Sequence, residues 1–325
     1  MNKRVLLINR GSDTHNIGDE AINYSLKKMF ENNSAQVDCE NYTLFYNRNG
    51  SKAVSAIRNF KKAISVSRRN YDIVIIGGGQ LILSNKSFPV SFFLWTLILK
   101  IFSNSKIYLF GVGVVDDFSS IEKKLISIGL KKVKGVYVRD VVSNGNLKKI
   151  FNVNSEVIPD PVFGISELFQ PTLDKTNNIL FGITTYTSIK RYGYLKESEE
   201  EYLINQANYV LEISENQSVK LIYNTQDDYK YTLKLKDLLQ SKFNFEIDVL
   251  ETKSLEAYLN IVSNAKKIIS SRMHALIIAR SYGVKIEPIV RNKKLKTFKA
   301  EHDSISIEDA YERNNNTIKF ILDDN

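Results

Sequence analysis

Arg272 and His274 are the two side chains of this sequence best suited to chemistry, and one residue separates them. A short apolar run over Lys266–Ser270 predicts a buried strand, and the pattern that follows predicts a helix over Met273–Ser281 that ends at Gly283. The helix N-terminus and the guanidinium both favour a bound anion, while an imidazole in the same turn is suited to proton transfer near neutral pH. We therefore predict an anion site with a catalytic histidine. The alternative is a histidine packed beside an apolar helix.

A second candidate segment, GSDTHNIGDEA, follows a predicted first strand over Val5–Asn9 and opens a helix. Asn16 is expected to cap this helix, with Asp19 three residues later as the partner in a capping box. Gly18 permits a tight turn and the close approach of a ligand. We predict that Asn16, Gly18 and Asp19 contribute to a binding site, the alternative being a simple helix start.

Three consecutive glycines, Gly77, Gly78 and Gly79, follow a predicted strand over Asp72–Ile76. Glycine loses more conformational entropy on folding than other residues and has no side chain to pack, so three together need a structural reason. We predict a pocket lined by their backbone at the end of the strand. The triplet alone is unspecific, because many nucleotide and sugar enzymes have glycine-rich loops.

Arg139 and Asp140 lie where a predicted strand over Gly135–Arg139 meets a predicted helix over Asp140–Ile150. Asp140 is expected to cap the helix, which would leave Arg139 to point toward a carboxylate or phosphate ligand. The alternative is a surface arginine paired with Asp140. Asp160, at the end of the next predicted strand, is expected to hold an arginine or a hydroxyl group, or only to form a turn.

Short apolar strands alternate with amphipathic helices along the chain, which predicts parallel sheets joined by helical crossovers. Residues 164–178 lose this periodicity and predict a linker. We predict an α/β, GT-B-type fold of two Rossmann-like domains facing a cleft, over residues 1–165 and 178–325. The first is expected on the acceptor side and the second carries the Arg-x-His motif, with the C-terminal helix packing back on the first. Ligands of such folds bind at the carboxyl ends of strands, where all four segments lie.

The composition is typical of a soluble, cytoplasmic protein. The single cysteine, Cys39, cannot form an intrachain disulfide, and no Cys/His spacing suggests a metal site, so we predict no cofactor. The formal net charge of +9 favours an anionic partner, but the basic residues are scattered, so we expect no nucleic-acid binding. The longest apolar stretch, Phe88–Phe102, is too short to span a bilayer. It predicts a core helix, and peripheral membrane contact is the alternative.

The motifs together resemble the polysaccharide pyruvyl transferase family. The resemblance runs from about residue 5 to 298 and rests on four segments in the expected order: NIGDEA, the glycine triplet, VRDVVSNGNL with DPVF, and SSRMHALIIA. It implies a two-domain GT-B-type protein that takes phosphoenolpyruvate as donor and a sugar diol as acceptor, gives a cyclic pyruvate ketal and releases phosphate. It also implies an acceptor among cell-envelope glycans, in some members lipid-linked, and hence work at the inner face of the membrane.

The family resemblance assigns roles to three residues. Arg139 and Arg272 would bind the donor's phosphate and carboxylate, and His274 would be the acid. Asp19 and Asp160 are candidates for the base that accepts a hydroxyl proton. Beyond the histidine motif, at Lys285–Phe298, the sequence departs from the family's pattern, and no role is carried over there.

Three other functions compete with this interpretation. A GT-B glycosyltransferase that uses a nucleotide sugar shares the fold class, but would need an acidic ribose-binding residue in a region that carries Lys285. A non-catalytic module that binds sugar or phosphate would have no reason to keep Arg139, Arg272 and His274 together. A nucleic-acid-binding protein would show a steep salt dependence of DNA affinity.

Overall fold

The structure, a computed structural model, describes residues 2–10, 15–43, 52–85, 87–192, 197–290, 295–296, 298–299 and 305–324. The chain forms two compact units. The first unit comprises Met1–Gly11, Ile22–Pro161 and Ala310–Asn325, and the second comprises Ser12–Ala21 and Val162–Asp309. Both ends of the chain therefore belong to the first unit, whereas a short N-terminal segment is part of the second.

The first unit is built on a parallel sheet of six strands with the order β2-β1-β3-β4-β5-β6. Apolar, β-branched runs such as VLLI in the first strand are fully buried, as expected for a sheet covered on both faces. The strands are β1 Arg4–Asn9, β2 Gln36–Asn41, β3 Ile73–Ile82, β4 Lys106–Val114, β5 Gly135–Val138 and β6 Glu156–Val157. The helices are α1 Ile17–Asn32, whose first turn belongs to the second unit, α2 Lys52–Ser67, α3 Ser87–Phe102, α4 Ser120–Leu130 and α5 Val141–Phe151.

The apolar helix α3 is a core element of the first unit. Phe88, Phe92, Trp95 and Leu99 are buried in the cluster that fills one side of the sheet. The helix begins at Ser87, and the side chain that accepts a hydrogen bond at its start is that of Asn85, from the N–H of Phe88 at 2.8 Å. In the described part of the chain, no helix combines the length and the apolar character needed to cross a membrane.

The second unit contains a parallel sheet of four strands with the order β10-β9-β7-β8. The strands are β7 Ile179–Gly182, β8 Val219–Ile222, β9 Lys267–Ser270 and β10 Lys285–Pro288. A 3-10 turn at Pro161–Gly164 leads into this unit, and its helices are α6 Ile165–Leu168, α7 Tyr186–Tyr192, α8 Glu199–Ser214, α9 Gln226–Phe243, α10 Leu255–Ser263 and α11 Met273–Ser281. The last helix, α12 Ile307–Asp323, passes into the first unit at Ala310.

The predicted α/β class, with a parallel sheet in each of two domains, is confirmed. The sequence EIDVL also predicts a strand, over Glu246–Leu250, and this prediction is wrong, because only an isolated bridge joins Val249 to Leu221. Strand β2 was not predicted, because its side chains are half-buried or exposed and it lacks the apolar run that marks a central strand. The predicted cap of α5 is confirmed, because the side chain of Asp140 accepts the N–H of Ser143 at 2.6 Å.

Candidate functional site

Polar side chains gather where three adjacent strands of the second unit end. Thr184 and Thr185 follow β7, Asn224 and Thr225 follow β8, and Ser271 follows β9. The hydroxyl of Ser271 donates to that of Thr184 at 2.7 Å, which ties the end of β9 to that of β7. Because the strands are parallel, their carboxyl ends meet at one edge of the sheet, which is where α/β folds place their ligands.

Arg272 is held at this edge by a buried carboxylate, Asp228, in the first turn of α9. Arg272 Nε donates to Asp228 Oδ2 at 2.9 Å, and Nη2 donates to Oδ1 at 2.6 Å, which is the bidentate geometry of a strong ion pair. Asp228 is fully buried, whereas the Arg272 side chain keeps 29% of its surface exposed. The guanidinium is thus fixed on one edge and open on another. Arg272 also occupies the N-cap position of α11 without a side-chain cap, so that helix N–H groups lie beside it.

The segment that begins α1 lies at the same edge. The N–H of Ile17 donates to the carbonyl of Asn224 at 2.9 Å, and Asn16 forms an antiparallel bridge with Thr225. The motif NIGD therefore extends the end of β8. It pairs with the residues that lead from β8 into α9, although it comes first in the chain.

Gly18 lies directly against the imidazole of His274, which is half-buried in the first turn of α11. A Cβ atom at Gly18 would lie 2.5 Å from His274 Nδ1 and 3.0 Å from Cγ. Carbon and nitrogen atoms that are not bonded stay about 3.5 Å apart, so only glycine fits here. The structure thus brings together three of the predicted site residues: Gly18, Arg272 and His274, with Arg272 and His274 at the start of one helix.

Asn16 and Asp19 form hydrogen bonds at the start of α1, but these are not the bonds of the predicted capping box. The Asn16 side chain accepts the N–H of Gly18 at 3.1 Å and donates to Asp19 Oδ2 at 2.9 Å. Asp19 therefore bonds the side chain of Asn16 and not its backbone. Next to it, Glu20 lies 3.6 Å from His15, and burial raises the pKa of Glu20 above its ordinary value, although His15 counteracts this. His15 has a left-handed φ of 41°, an uncommon conformation for a residue with a side chain.

Arg139 belongs to the first unit and is buried there, which corrects the expectation that it points toward a ligand. Its side chain is 3% exposed and donates to Asp160 Oδ2 at 3.2 Å and to Gln80 Oε1 at 2.6 Å. The Asp140 carboxylate lies 3.6 Å from Nε, so the predicted pairing of these neighbours is present, but inside the protein. A Cβ at Gly113 would lie 2.9 Å from Nη2, so the guanidinium is enclosed from that side as well.

The glycine triplet lies inside β3 and not after it, and two of its members are packed against protein atoms. A Cβ at Gly77 would lie 2.7 Å from the carbonyl oxygen of Phe110 on the neighbouring strand. At Gly78, where φ is +87°, it would lie 1.9 Å from Ile22 Cγ2 in α1, and Gly79 also has a positive φ of 74°. The predicted ligand pocket at Gly77 and Gly78 is therefore replaced by close packing of strand and helix. Left-handed backbone at two successive residues makes the glycines necessary.

Three residues of this edge, Asp228, Thr184 and Asn224, were not predicted from the sequence. One signal was available for Asp228: the segment NTQDDY follows the strand pattern VKLIY and opens a helix, as the segments of Asn16 and Arg272 do. Nothing marked Thr184 or Asn224, whose importance follows from the pairing of the strands. Among the described residues, no group of three or more His, Cys, Asp or Glu side chains is arranged to bind a metal ion.

Comparison with known proteins gives a family and a fold. The model of the family described as "Polysaccharide pyruvyl transferase" matches residues 16–286, from Asn16 of the NIGD motif into β10. None of the curated protein sequences matches significantly.

Two solved structures illustrate the fold. The UDP-GlcNAc 2-epimerase from Methanocaldococcus jannaschii superposes with a TM-score of 0.56 at 13% identity, over 99% of this chain and 93% of that one. The UDP-GlcNAc 2-epimerase from Neisseria meningitidis bound to UDP-GlcNAc has a TM-score of 0.55 at 12% identity, over 98% of both chains. At this identity the likeness shows a shared GT-B-type fold alone.

Proposed function

We propose, from the premise that this chain belongs to the polysaccharide pyruvyl transferase family, that it transfers the pyruvyl group of phosphoenolpyruvate to two hydroxyls of a glycan. The products would be a cyclic pyruvate ketal and inorganic phosphate. The observation that carries the proposal is the junction of three distant segments, around Gly18, Asp228 and Arg272, with His274 in contact with Gly18. Phosphoenolpyruvate carries a phosphate and a carboxylate, and this junction offers an arginine and a helix N-terminus to an anion.

Arg272 is the proposed donor-binding residue. Two of its N–H groups are engaged by Asp228, and its exposed edge would bind one anionic group of phosphoenolpyruvate. The N-terminus of α11 adds its dipole to the same point. Arg139 is left out of donor binding in this proposal, because its buried guanidinium is already enclosed by two carboxylates and an amide.

His274 is the proposed acid. It would donate a proton to the methylene carbon of phosphoenolpyruvate, and the carboxyl-bearing carbon would become cationic. A sugar hydroxyl then attacks that carbon and loses its proton to a base, after which the carbon–oxygen bond to phosphate breaks. A second hydroxyl attacks in turn and closes the ketal. One hydroxyl proton restores the acid and the other leaves with the phosphate, so the reaction is balanced without a redox step.

Asp19 is the proposed base, in preference to Asp160. Asp160 is buried and paired with Arg139 in the interior of the first unit, where a sugar hydroxyl has no access to it. Asp19 is half-buried and adjacent to Gly18, which itself contacts the imidazole of His274. In this proposal the Asp19 carboxylate, in the same turn as the glycine that contacts the acid, accepts the proton that the attacking hydroxyl loses.

The acceptor is proposed to be a cell-envelope glycan with a free diol, and the apolar helix α3 is not proposed as its membrane contact. The side chains that make α3 apolar lie in the core of the first unit. Transfer of a sugar from a nucleotide sugar is the alternative function, but only the similarity of fold supports it.

The test is incubation of the protein with phosphoenolpyruvate and a panel of galactosides, mannosides and N-acetylhexosamines. Phosphate release together with a mass gain of about 70 Da on one sugar is the expected result. His274→Ala should bind phosphoenolpyruvate but release no phosphate, and Arg272→Ala should bind it more weakly. If the wild-type protein neither binds phosphoenolpyruvate nor releases phosphate with any sugar, the proposed function is wrong.

A further inference from the structure

We propose that Asp228 is a positioning residue that acts through Arg272 and sets the affinity for the anionic donor. The proposal rests on the proposed function and extends it to a residue outside the motif that carries Arg272. Asp228 lies in the first turn of α9, at the end of β8, whereas Arg272 follows β9. The two strands are separated by β7 in the sheet.

Asp228 is bonded to the ends of all three strands. Its carboxylate accepts two hydrogen bonds from Arg272, beyond β9, and one from the N–H of Thr185, beyond β7, at 3.3 Å. Its own N–H donates at 3.0 Å to the hydroxyl of Thr225, beyond β8. The side chain is fully buried, so its rotamer is fixed by packing as well as by these bonds. A carboxylate held in this way presents both oxygens to the guanidinium at a fixed angle.

The ion pair with Asp228 occupies one edge of the Arg272 guanidinium and leaves another edge open. Nε and Nη2 bond to Asp228, and among the described residues no bond from Nη1 is found. A guanidinium has five N–H donors in one plane, so fixing the Nε edge also fixes the direction of the remaining donors. The bidentate pair therefore aims Nη1 without consuming it.

The other buried arginine–aspartate pair shows the contrast. Arg139 and Asp160 have side chains that are 3% and 4% exposed, and Gln80 covers a second edge of that guanidinium. Arg272 is 29% exposed while its aspartate is fully buried. A pair that is closed on all sides stabilises the fold, whereas a pair with a buried anion and an exposed cation presents the cation to a ligand.

The first experiment compares wild type with Asp228→Asn. The amide keeps the shape of the side chain but sets an N–H group against an N–H of Arg272. We expect the KM for phosphoenolpyruvate and its Kd by calorimetry to rise about 10-fold or more, the effect of losing one charge-assisted bond. The KM for the sugar acceptor should stay unchanged and kcat should fall less than about 3-fold, because uniform binding is lost and not transition-state stabilisation. Thermal unfolding of each variant reports whether it is folded.

A double-mutant cycle separates positioning from general destabilisation. If Asp228 acts through Arg272, Asp228→Asn has no further effect on the Kd for phosphoenolpyruvate in the Arg272→Ala background. Equal and additive effects in both backgrounds would overturn the proposal. So would an unchanged Kd in folded Asp228→Asn, while the wild type still turns over the donor. No binding or turnover by the wild type refutes the proposed function instead, and the two failures are therefore distinguishable.

A milder pair of variants covers the case in which Asp228→Asn does not fold. Thr225→Ala removes the hydroxyl that accepts the N–H of Asp228, and Ser198→Ala removes an equivalent N-cap from α8, where the accepted N–H is that of Glu201. Both should lower the stability by a similar amount. Only Thr225→Ala should raise the Kd for phosphoenolpyruvate, by about 2- to 5-fold. Equal Kd values for the two variants would contradict the proposal.

Discussion

Gly18→Ala tests the contact between the first helix and His274 most directly. The added methyl group would lie 2.5 Å from His274 Nδ1 and 3.2 Å from its Cβ. Nonbonded contacts of this kind are favourable at about 3.5 Å or more, so the imidazole or the first turn of α1 must move by about 1 Å. A displacement of about 1 Å in a catalytic group can reduce the rate by about 100-fold. We expect kcat/KM for phosphoenolpyruvate to fall by about 10- to 100-fold.

The stability of the protein should change much less than its activity. Gly18 lies in a helical turn, where alanine is favoured over glycine by about 0.5–1 kcal/mol. Overpacking against the imidazole costs about 1–3 kcal/mol, so the two effects partly offset each other. The measurements are the steady-state rate of phosphate release and the free energy of unfolding from urea denaturation. The expected loss of activity per folded molecule is larger than any loss of folded protein can explain.

Two other helical glycines are matched controls. A Cβ at Gly145 in α5 would meet nothing within 4 Å, so Gly145→Ala should leave the activity unchanged and raise the stability. A Cβ at Gly129 in α4 would lie 2.5 Å from the ring of Phe92 in the core, so Gly129→Ala should lower the stability. Its activity per folded molecule should stay that of the wild type. Only the glycine that contacts His274 should affect catalysis.

A catalytic role for the contact between Gly18 and His274 is refuted if Gly18→Ala retains the kcat/KM of the wild type. It is also refuted if Gly129→Ala loses as much activity per folded molecule as Gly18→Ala. A double variant adds a further condition. Because the methyl group is expected to act through the imidazole, Gly18→Ala should not change the Kd for phosphoenolpyruvate in the His274→Ala background, which binds the donor but releases no phosphate. Weaker binding there would mean that the methyl group disturbs another part of the site.

Three further predictions concern the first unit. Arg139→Met leaves the buried Asp160 carboxylate without its cation and should lower the free energy of unfolding by about 3–5 kcal/mol in chemical denaturation. Gly78→Ala forces a side chain into a left-handed conformation against Ile22 and should lower the yield of folded protein or its melting temperature strongly. Asp324 accepts a hydrogen bond from Lys134, which lowers the pKa of this carboxyl below its ordinary value of 3.8. Its stabilising contribution is therefore present above pH 3.8 and is lost as the pH falls through the lowered pKa, so Asp324→Asn should be less stable than wild type at neutral pH but not in strong acid.

Each of these predictions has a result that would contradict it. An Arg139→Met protein as stable as wild type would mean that the pair with Asp160 contributes nothing. A Gly78→Ala protein with an unchanged melting temperature would contradict the packing against Ile22. For Asp324→Asn, a stability difference from wild type that persists undiminished in strong acid would exclude the carboxylate as its cause.

The sequence alone determined the local part of this protein. Apolar runs of four or five residues that alternate with helical patterns report burial, and burial of whole strands occurs in parallel sheets. Helix starts at Asp140 and at Arg272 could be located because an N-cap depends on residues within one turn. The position of Arg272 and His274 at a strand end followed from the same local logic, as did the fold class.

Only the tertiary structure decided which distant segments share a site. Gly18 meets His274, and Asp228 meets Arg272, through the order and register of strands that lie far apart in the chain, and no periodicity records that order. The direction of Arg139 was also beyond the sequence, because an arginine at a strand end has the same local pattern whether it faces a ligand or a buried aspartate. The exposure of the arginine separates the two cases, because the side chain of Arg272 is 29% exposed and that of Arg139 only 3%. The sequence places charged groups at strand ends, and packing decides which of them stay accessible to a substrate.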